Sequence, residues 1–218
     1  SKKYFVIGMG SKPNFNEELT EFITDGEMIY FPLDLSAPQD IQDFFLSKIK
    51  KIGPIYSLIN NAAAAYDDLC SNADLTELEN MFKVNTISPI MLSKYTIRNM
   101  ILHETKGSIV HISSVSAHTG YKGLSMYAAS KGAMESFSRT VAREYGSRGI
   151  RSNCIVPGFM ETGMSKSLSR DQKQRIYNRT SLKSSTSLNS VALLVLTLLS
   201  DESESITGST MHVDSGTI

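Results

Sequence analysis

Short β-branched runs alternate with helix-period segments along all 218 residues, and no repeat, low-complexity tract or linker interrupts them. Parallel strands cannot be joined by tight turns, and each needs a crossover long enough to hold a helix. Strict β/α alternation therefore predicts a parallel sheet covered by helices on both faces. Strands are expected over residues 4–9, 28–33, 55–59, 107–112, 150–156 and 210–213. Helices are expected over residues 16–24, 38–52, 76–102, 126–145 and 189–200, the second opened by Pro38 and closed by Gly53 and Pro54. This is the pattern of one three-layer α/β domain spanning residues 1–218, and a doubly wound sheet binds its ligand at the carboxyl ends of the strands. The residues that follow the expected strands suit that use: Asp34, Asn60 and Asn61, Ser113 and Ser114, Pro157 and Gly158. Each alone is ordinary turn punctuation; in successive strands they mark one edge of the sheet.

Charge and composition exclude several alternatives. A formal net charge of zero gives no footprint for nucleic acid or an anionic membrane surface. The two cysteines, Cys70 and Cys154, are far apart and lack partners at metal spacing, so neither a disulfide framework nor a zinc site is expected. No apolar run reaches the roughly 18–20 residues needed to span a bilayer, and a soluble cytoplasmic protein is the expectation.

The chemistry concentrates between residues 108 and 131, SIVHISSVSAHTGYKGLSMYAASK. A strand delivers Ser113 and Ser114, a Gly-punctuated loop follows, and a helix opens near Met126. Tyr127 and Lys131 are four apart and so share a helix face, one turn apart. A phenol with a reference pKa of roughly 10 exchanges protons poorly at neutral pH. A neighbouring cation favours the phenolate and is expected to draw that pKa down. Ser114, at the mouth of the strand, would hydrogen-bond the oxygen that Tyr127 protonates. The set suits proton transfer at a carbonyl or alcohol oxygen while another group moves the hydride. Upstream, Pro89 lies inside the expected helix over residues 76–102. It has no N–H to give the Asn85 carbonyl, so a kink there is expected to free that carbonyl to hold a water.

Together these residues resemble the short-chain dehydrogenase/reductases, in particular the 3-oxoacyl-(acyl-carrier-protein) reductase branch. The resemblance rests on LINNAA over residues 58–63, MFKVNTISP over 81–89, GSIVHISS over 107–114, the run beginning YAASKGAMESFSRTVAREY at Tyr127 and continuing to residue 164, and ITGSTMHVDSG over 206–216. It implies a Rossmann fold. It also implies that Ser114 stabilises the substrate oxygen and that Tyr127 is the acid/base. Lys131 would lower the tyrosine pKa and hold the nicotinamide ribose, and Asn85 would anchor a water in a proton relay. Asp34 and Leu35 fall by the adenine, Asn61 and Ala62 along the cofactor, and Pro157, Gly158, Met160 and Thr162 around the nicotinamide. Ala63 stands where the family prefers glycine.

The front of the chain departs from the family. No glycine-rich phosphate loop appears, and residues 4–9 match the spacing of the family's second strand. The first strand and phosphate loop, roughly 25 residues, are therefore expected to be missing from this sequence; a degenerate first strand at residues 4–9 is the alternative. Ser11 and Lys12 occupy the end of that strand where an acidic residue would select NAD, and they suit a 2′-phosphate, favouring NADP(H) over NAD(H). The resemblance further implies reduction of a ketone, with a 3-oxoacyl thioester as substrate and a lid over residues 161–182. Acyl-carrier protein would be met by Arg148 and Lys106, with Thr105 where a second arginine is usual. Apolar residues beyond one stripe of the two long helices (Met91, Leu92, Tyr95, Met100, Met134, Phe137, Val141) call for a partner, and the resemblance implies a homotetramer, or a homodimer, through those helices and the last strand. The within-class alternative is another small alcohol, sugar or ketone; the rival is a catalytically silent scaffold of the same fold.

Overall fold

The computed structural model describes residues 4–12, 27–165 and 168–218; the helix expected over residues 16–24 lies outside them. Strand β1 (Val6–Gly10) pairs in parallel with β2 (Met28–Pro32). Strands β3 (Ser57–Asn60), β4 (Ser108–Ile112), β5 (Arg151–Pro157) and β6 (Thr210–Val213) form a parallel sheet in that order. β4 and β5 are buried at every residue, as parallel strands covered on both faces must be. Tyr4 and Tyr56, which precede β1 and β3, stack with ring centroids 5.9 Å apart, but β1 and β3 share no ladder.

Side chains leave a strand on alternate faces, and the core divides accordingly. Ile109 joins Leu33, Ile41, Phe45, Leu58, Met100 and Val141 on one face, with Ile7, Met9 and Phe31 packed against them. Val110 and Ile112 join Ile155, Val191, Leu198 and Leu199 on the other. The first cluster draws on both sheets, so one body of apolar side chains spans the strand pair and the four-stranded sheet.

The helices are α1 (Ile41–Ser47), α2 (Leu75–Phe82), α3 (Ser88–Leu102), α4 (Ser125–Tyr145), α5 (Arg170–Tyr177) and α6 (Leu188–Leu199). The single helix expected over residues 76–102 is instead α2 and α3 joined by a π turn, Lys83–Ile87, where the Ser88 N–H reaches back five residues to the Lys83 carbonyl. Pro89 thereby falls in the first turn of α3, where a missing N–H costs nothing. α5 lies inside the segment expected to be a polar lid without regular structure. No apolar stripe announces it; its signal is the capping box in which Ser169 and Gln172 exchange side-chain and backbone hydrogen bonds.

Two expectations about surfaces change. Leu92, Tyr95, Met100, Met134 and Val141 are buried within the chain, and Met91 and Phe137 pack partly against its core, because α3 and α4 bury more than one stripe under the sheet. The apolar residues left exposed are others: Ile87, Ile101 and Leu102 around α3, and Leu188, Leu193 and Leu196 on α6. Lys106 and Arg148 lie at the amino ends of β4 and β5, the edge opposite Ser114, with the Lys106 stem against Gly149. No helix among the described residues is long and apolar enough to cross a membrane.

His111, in the middle of β4, is 1% exposed, with Nδ1 3.1 Å from Asn60 Nδ2. An amide nitrogen only donates, so the ring proton sits on Nε2, which has no partner. Burial, reinforced by the Lys131 charge, lowers its pKa from 6.5 to about 3. The unfolded chain therefore binds the extra proton between those values, and stability falls as pH drops below 6.5. From pH 7 to pH 5 this group should cost about 2 kcal/mol. Urea titrations at the two pH values should show that loss in the wild type and its absence in His111→Gln.

Candidate active site

β4 ends at Ile112 and the chain stays extended through Ser114, whose φ and ψ are −162° and 149°. The Ser114 hydroxyl accepts a hydrogen bond from Ser116 N at 3.2 Å, which closes the turn after the strand. α4 then crosses back over the sheet with Tyr127 in its first turn and Lys131 in its second. Lys131 is 3% exposed; its Nζ donates to the Ile112 carbonyl at 2.8 Å and lies 5.7 Å from the centre of the Tyr127 ring. The Ser114 hydroxyl lies close enough to Tyr127 to draw the phenol pKa down. The structure thus brings Ser114, Tyr127 and Lys131 together where the central strand ends.

The electrostatics differ from the expectation of a lowered phenol pKa. Burial pushes Tyr127 above the ordinary value, the nearby Ser114 hydroxyl pulls it down, and the charge of Asp67 adds to the rise. Lys131 does not reverse this, because its ammonium is directed at the Ile112 carbonyl. Burial lowers the amine itself from 10.5 to about 8, which leaves it mostly protonated at neutral pH.

Asn85, 2% exposed in the π turn, exchanges two hydrogen bonds with the Ala64 backbone, accepting from its N–H and donating to its C=O at 2.8 Å each. Its amide also donates to Ser130 Oγ at 3.1 Å. The side chain therefore ties the loop after β3 to the helix that carries Tyr127 and Lys131. Those protein partners occupy the amide, so a water at Asn85 would use its backbone carbonyl.

The other expected residues follow strand ends on the same edge. Ser11 and Lys12 are exposed just after β1, where the Tyr30 hydroxyl lies 3.0 Å from the Gly10 carbonyl and 2.7 Å from the Lys12 carbonyl. Asp34 is exposed and accepts from Ser36 N at 2.8 Å, which holds its pKa below the usual carboxylate value; the Leu35 carbonyl accepts from Ser88 Oγ at 2.6 Å. Asn61 and Ala62 are exposed after β3. Pro157 ends β5, and a side chain at Gly158 would meet Thr186 Oγ1 at 2.5 Å and the Asp214 Cα at 2.8 Å. Met160 packs partly on the second core cluster, and Thr162 N donates to Ser165 Oγ at 3.0 Å.

A dinucleotide fits this edge at its nicotinamide half. An ammonium has three donors, and among the described residues that of Lys131 meets one acceptor, the Ile112 carbonyl, despite its burial; ribose hydroxyls would satisfy the others. No described residue supplies a glycine-rich turn for the diphosphate. Among the described residues no three His, Cys, Asp or Glu side chains are grouped to hold a metal. Sequence reasoning overlooked Asp67, Ser130 and Glu135. The spacing of Ser130 and Glu135 from Tyr127 and Lys131 on α4 was the available signal, whereas Asp67 had none.

A serine, a tyrosine and a buried lysine at the carboxyl end of a central parallel strand define an oxidoreductase on a dinucleotide-binding fold. Comparison with known proteins agrees. A family model described as enoyl-(acyl carrier protein) reductase matches residues 6–217. The 3-oxoacyl-(acyl-carrier-protein) reductase FabG of Escherichia coli is 33% identical over 213 residues, 97% of this chain and 86% of that protein. L-xylulose reductase of Caenorhabditis elegans is 34% identical over 165 residues, 75% of this chain and 66% of that protein. A solved 4-hydroxyisoleucine dehydrogenase in complex with NADH superposes with a TM-score of 0.90 at 25% identity, covering 98% of this chain and 88% of that one. The chain belongs to the short-chain dehydrogenase/reductase family. It is an oxidoreductase acting on CH–OH groups.

Asn85→Ala would strand the Ala64 N–H and C=O in a half-buried loop. Each unpaired group costs about 1–3 kcal/mol when buried, so a loss of about 2–4 kcal/mol in unfolding free energy is expected in urea.

Proposed function

We propose that this protein is an NADPH-dependent reductase converting a ketone to a secondary alcohol, with a 3-oxoacyl thioester as substrate. The observation that carries the reading is the buried Lys131 beside the Tyr127 ring at the strand end where Ser114 leaves β4. The dinucleotide, when bound, supplies the hydride to the carbonyl carbon. Tyr127 gives its proton to the oxygen that gains charge, and Ser114 hydrogen-bonds the same oxygen. Lys131 holds the ribose with its remaining donors and, drawn towards Tyr127, favours the phenolate left behind. A water at the Asn85 backbone carbonyl returns the proton through Lys131.

The cofactor preference rests on Ser11 and Lys12, both exposed at the end of β1 with no acidic side chain beside them in sequence, which suits a 2′-phosphate. Asp34, Leu35, Asn61, Ala62, Pro157, Gly158, Met160 and Thr162 line the remaining path along the strand ends. Residues 161–182 serve as the lid, with Glu161 bonded to Tyr177 and 3.4 Å from Lys173. A thioester substrate is favoured by the similarity to 3-oxoacyl-(acyl-carrier-protein) reductases. A sugar or other small alcohol is the second reading, favoured by the similarity to L-xylulose reductase. Acyl-carrier protein contact through Lys106 and Arg148 would involve the edge of the sheet away from this chain's own site.

The same reading includes a cytoplasmic homotetramer. Cys70 and Cys154 are both free thiols, as a reducing compartment keeps them. Exposed Leu188, Leu193 and Leu196 on α6 and the cleft lined by Ile90, Ile97, Ile101 and Phe137 between α3 and α4 supply apolar faces that association would cover. Light scattering should give four chains for the wild type and fewer for the Leu193→Glu, Leu196→Glu double variant; an unchanged mass would remove α6 from the interface.

Nicotinamide fluorescence titrations should show tighter binding of NADPH than of NADH, with the preference reduced in Lys12→Ala. Tyr127→Phe should keep NADPH binding and the circular dichroism spectrum while ketone turnover falls about 100- to 10,000-fold. Retained turnover in that variant would overturn the assignment of the acid.

A further inference from the structure

Glu135 is a carboxylate that the proton-transfer reading does not use, and it is 5% exposed. It sits on α4 one turn beyond Lys131 and two beyond Tyr127. Its Oε1 accepts from Ser113 Oγ at 2.5 Å and lies 3.0 Å from His118 Nε2. Ser113 immediately precedes Ser114, and His118 follows it by four residues. One buried carboxylate therefore grips the loop on both sides of Ser114 and fastens it to the helix that carries Tyr127. Serine and histidine both address the same carboxylate oxygen, so this is no nucleophile–base pair.

We propose that Glu135 is a positioning residue: by clamping Ser113 and His118 to α4 it sets the Ser114–Tyr127 contact at the reacting oxygen. A buried carboxylate is weak as a source of stability, because desolvation offsets what its partners return. Its buried neighbours one and two turns further along that face, Ser138 and Ala142, are small, so packing alone does not call for a carboxylate there. The clamp gives the carboxylate a purpose that packing does not. α4 is a continuous helix from Ser125 to Tyr145, so Glu135 and Tyr127 move as one body. Without the clamp, Ser114 is held to its own strand and turn, through Ser113 N on the Ile155 carbonyl at 2.8 Å and Ser116 N on Ser114 Oγ, and by its contact with Tyr127 itself. The titratable groups facing the cluster are Lys131 on the preceding turn, the neutral Cys154 thiol on β5, and His212 on β6, whose ring lies 4.8 Å from that of His118.

The proposal rests on the carbonyl-reductase reading, and its test separates the two. Glu135→Leu and Glu135→Gln both remove the charge, but only glutamine keeps an acceptor for Ser113. Their difference therefore reports the clamp and not the charge. In Glu135→Leu, kcat for ketone reduction should fall about 10- to 100-fold, as misplacement of a reacting group does, with the NADPH Kd within about twofold of wild type. In Glu135→Gln, kcat should stay within about threefold of wild type. The second readout needs no substrate: the 13Cζ resonance of Tyr127, identified by its loss in Tyr127→Phe, should shift in Glu135→Leu and return in Glu135→Gln. A folded Glu135→Leu with wild-type kcat and resonance overturns the proposal, and so does a glutamine variant as impaired as the leucine one. If the wild type reduces no ketone, the functional reading fails while the resonance still decides the clamp. Should Glu135→Leu fail to fold, Ser113→Ala cuts one arm, and an unmoved Tyr127 resonance there overturns the proposal equally.

Discussion

An ammonium removed from water is costly unless an acceptor meets it, and the site of this protein is arranged around one such group. Lys131 meets the Ile112 carbonyl at the last residue of β4, a carbonyl that lies where the ladder ends and the chain turns away. For the amine to reach it, α4 must pack close against β4 and β5. Small or polar residues at that contact permit the approach: Ser138 and Ser152 share a buried hydroxyl pair at 2.8 Å, and the Cys154 thiol lies 3.8 Å from the Met134 carbonyl. With the helix seated there, Tyr127 arrives one turn earlier, over the same strand end as Ser114.

The remaining connections hold separate loops to that helix. Asn85 joins the loop after β3 to Ser130 from a π turn that buries both its own side chain and that of Thr86, whose hydroxyl donates to the Ser130 carbonyl. Glu135 joins the loop after β4 from the far side. Two loops are thus tied to α4 within two turns of each other, one through Asn85 at Ser130 and one through Glu135 on the helix itself. Loops at a strand edge are ordinarily the most mobile part of a parallel sheet fold, and these hydrogen bonds anchor two of them to a rigid element.

Burial dominates the electrostatics throughout. It raises Tyr127, lowers Lys131, lowers His111 and raises Cys154. In each case the charged form is the one disfavoured, as desolvation requires. The phenol is consequently a poorer acid than the Tyr127–Lys131 spacing suggests.

Much of this architecture was written in local pattern. β/α alternation sets the parallel sheet, and polar residues after successive strands mark its ligand edge. The four-residue spacing of Tyr127 and Lys131 settles that they share a helix face, because these follow from backbone periodicity and crossover length alone. Other features depend on which surfaces meet. The break of the helix near Pro89 into two segments around a π turn, the short helix at Arg170–Tyr177, and the burial of Met100 and Met134 inside the chain are decided by packing between elements distant in sequence. So are the direction of the Tyr127 pKa and the placing of Lys106 and Arg148 at the opposite edge from the site. Periodicity along one segment specifies which residues share a face; what that face touches, and how dry the contact is, exists only once the tertiary structure has formed.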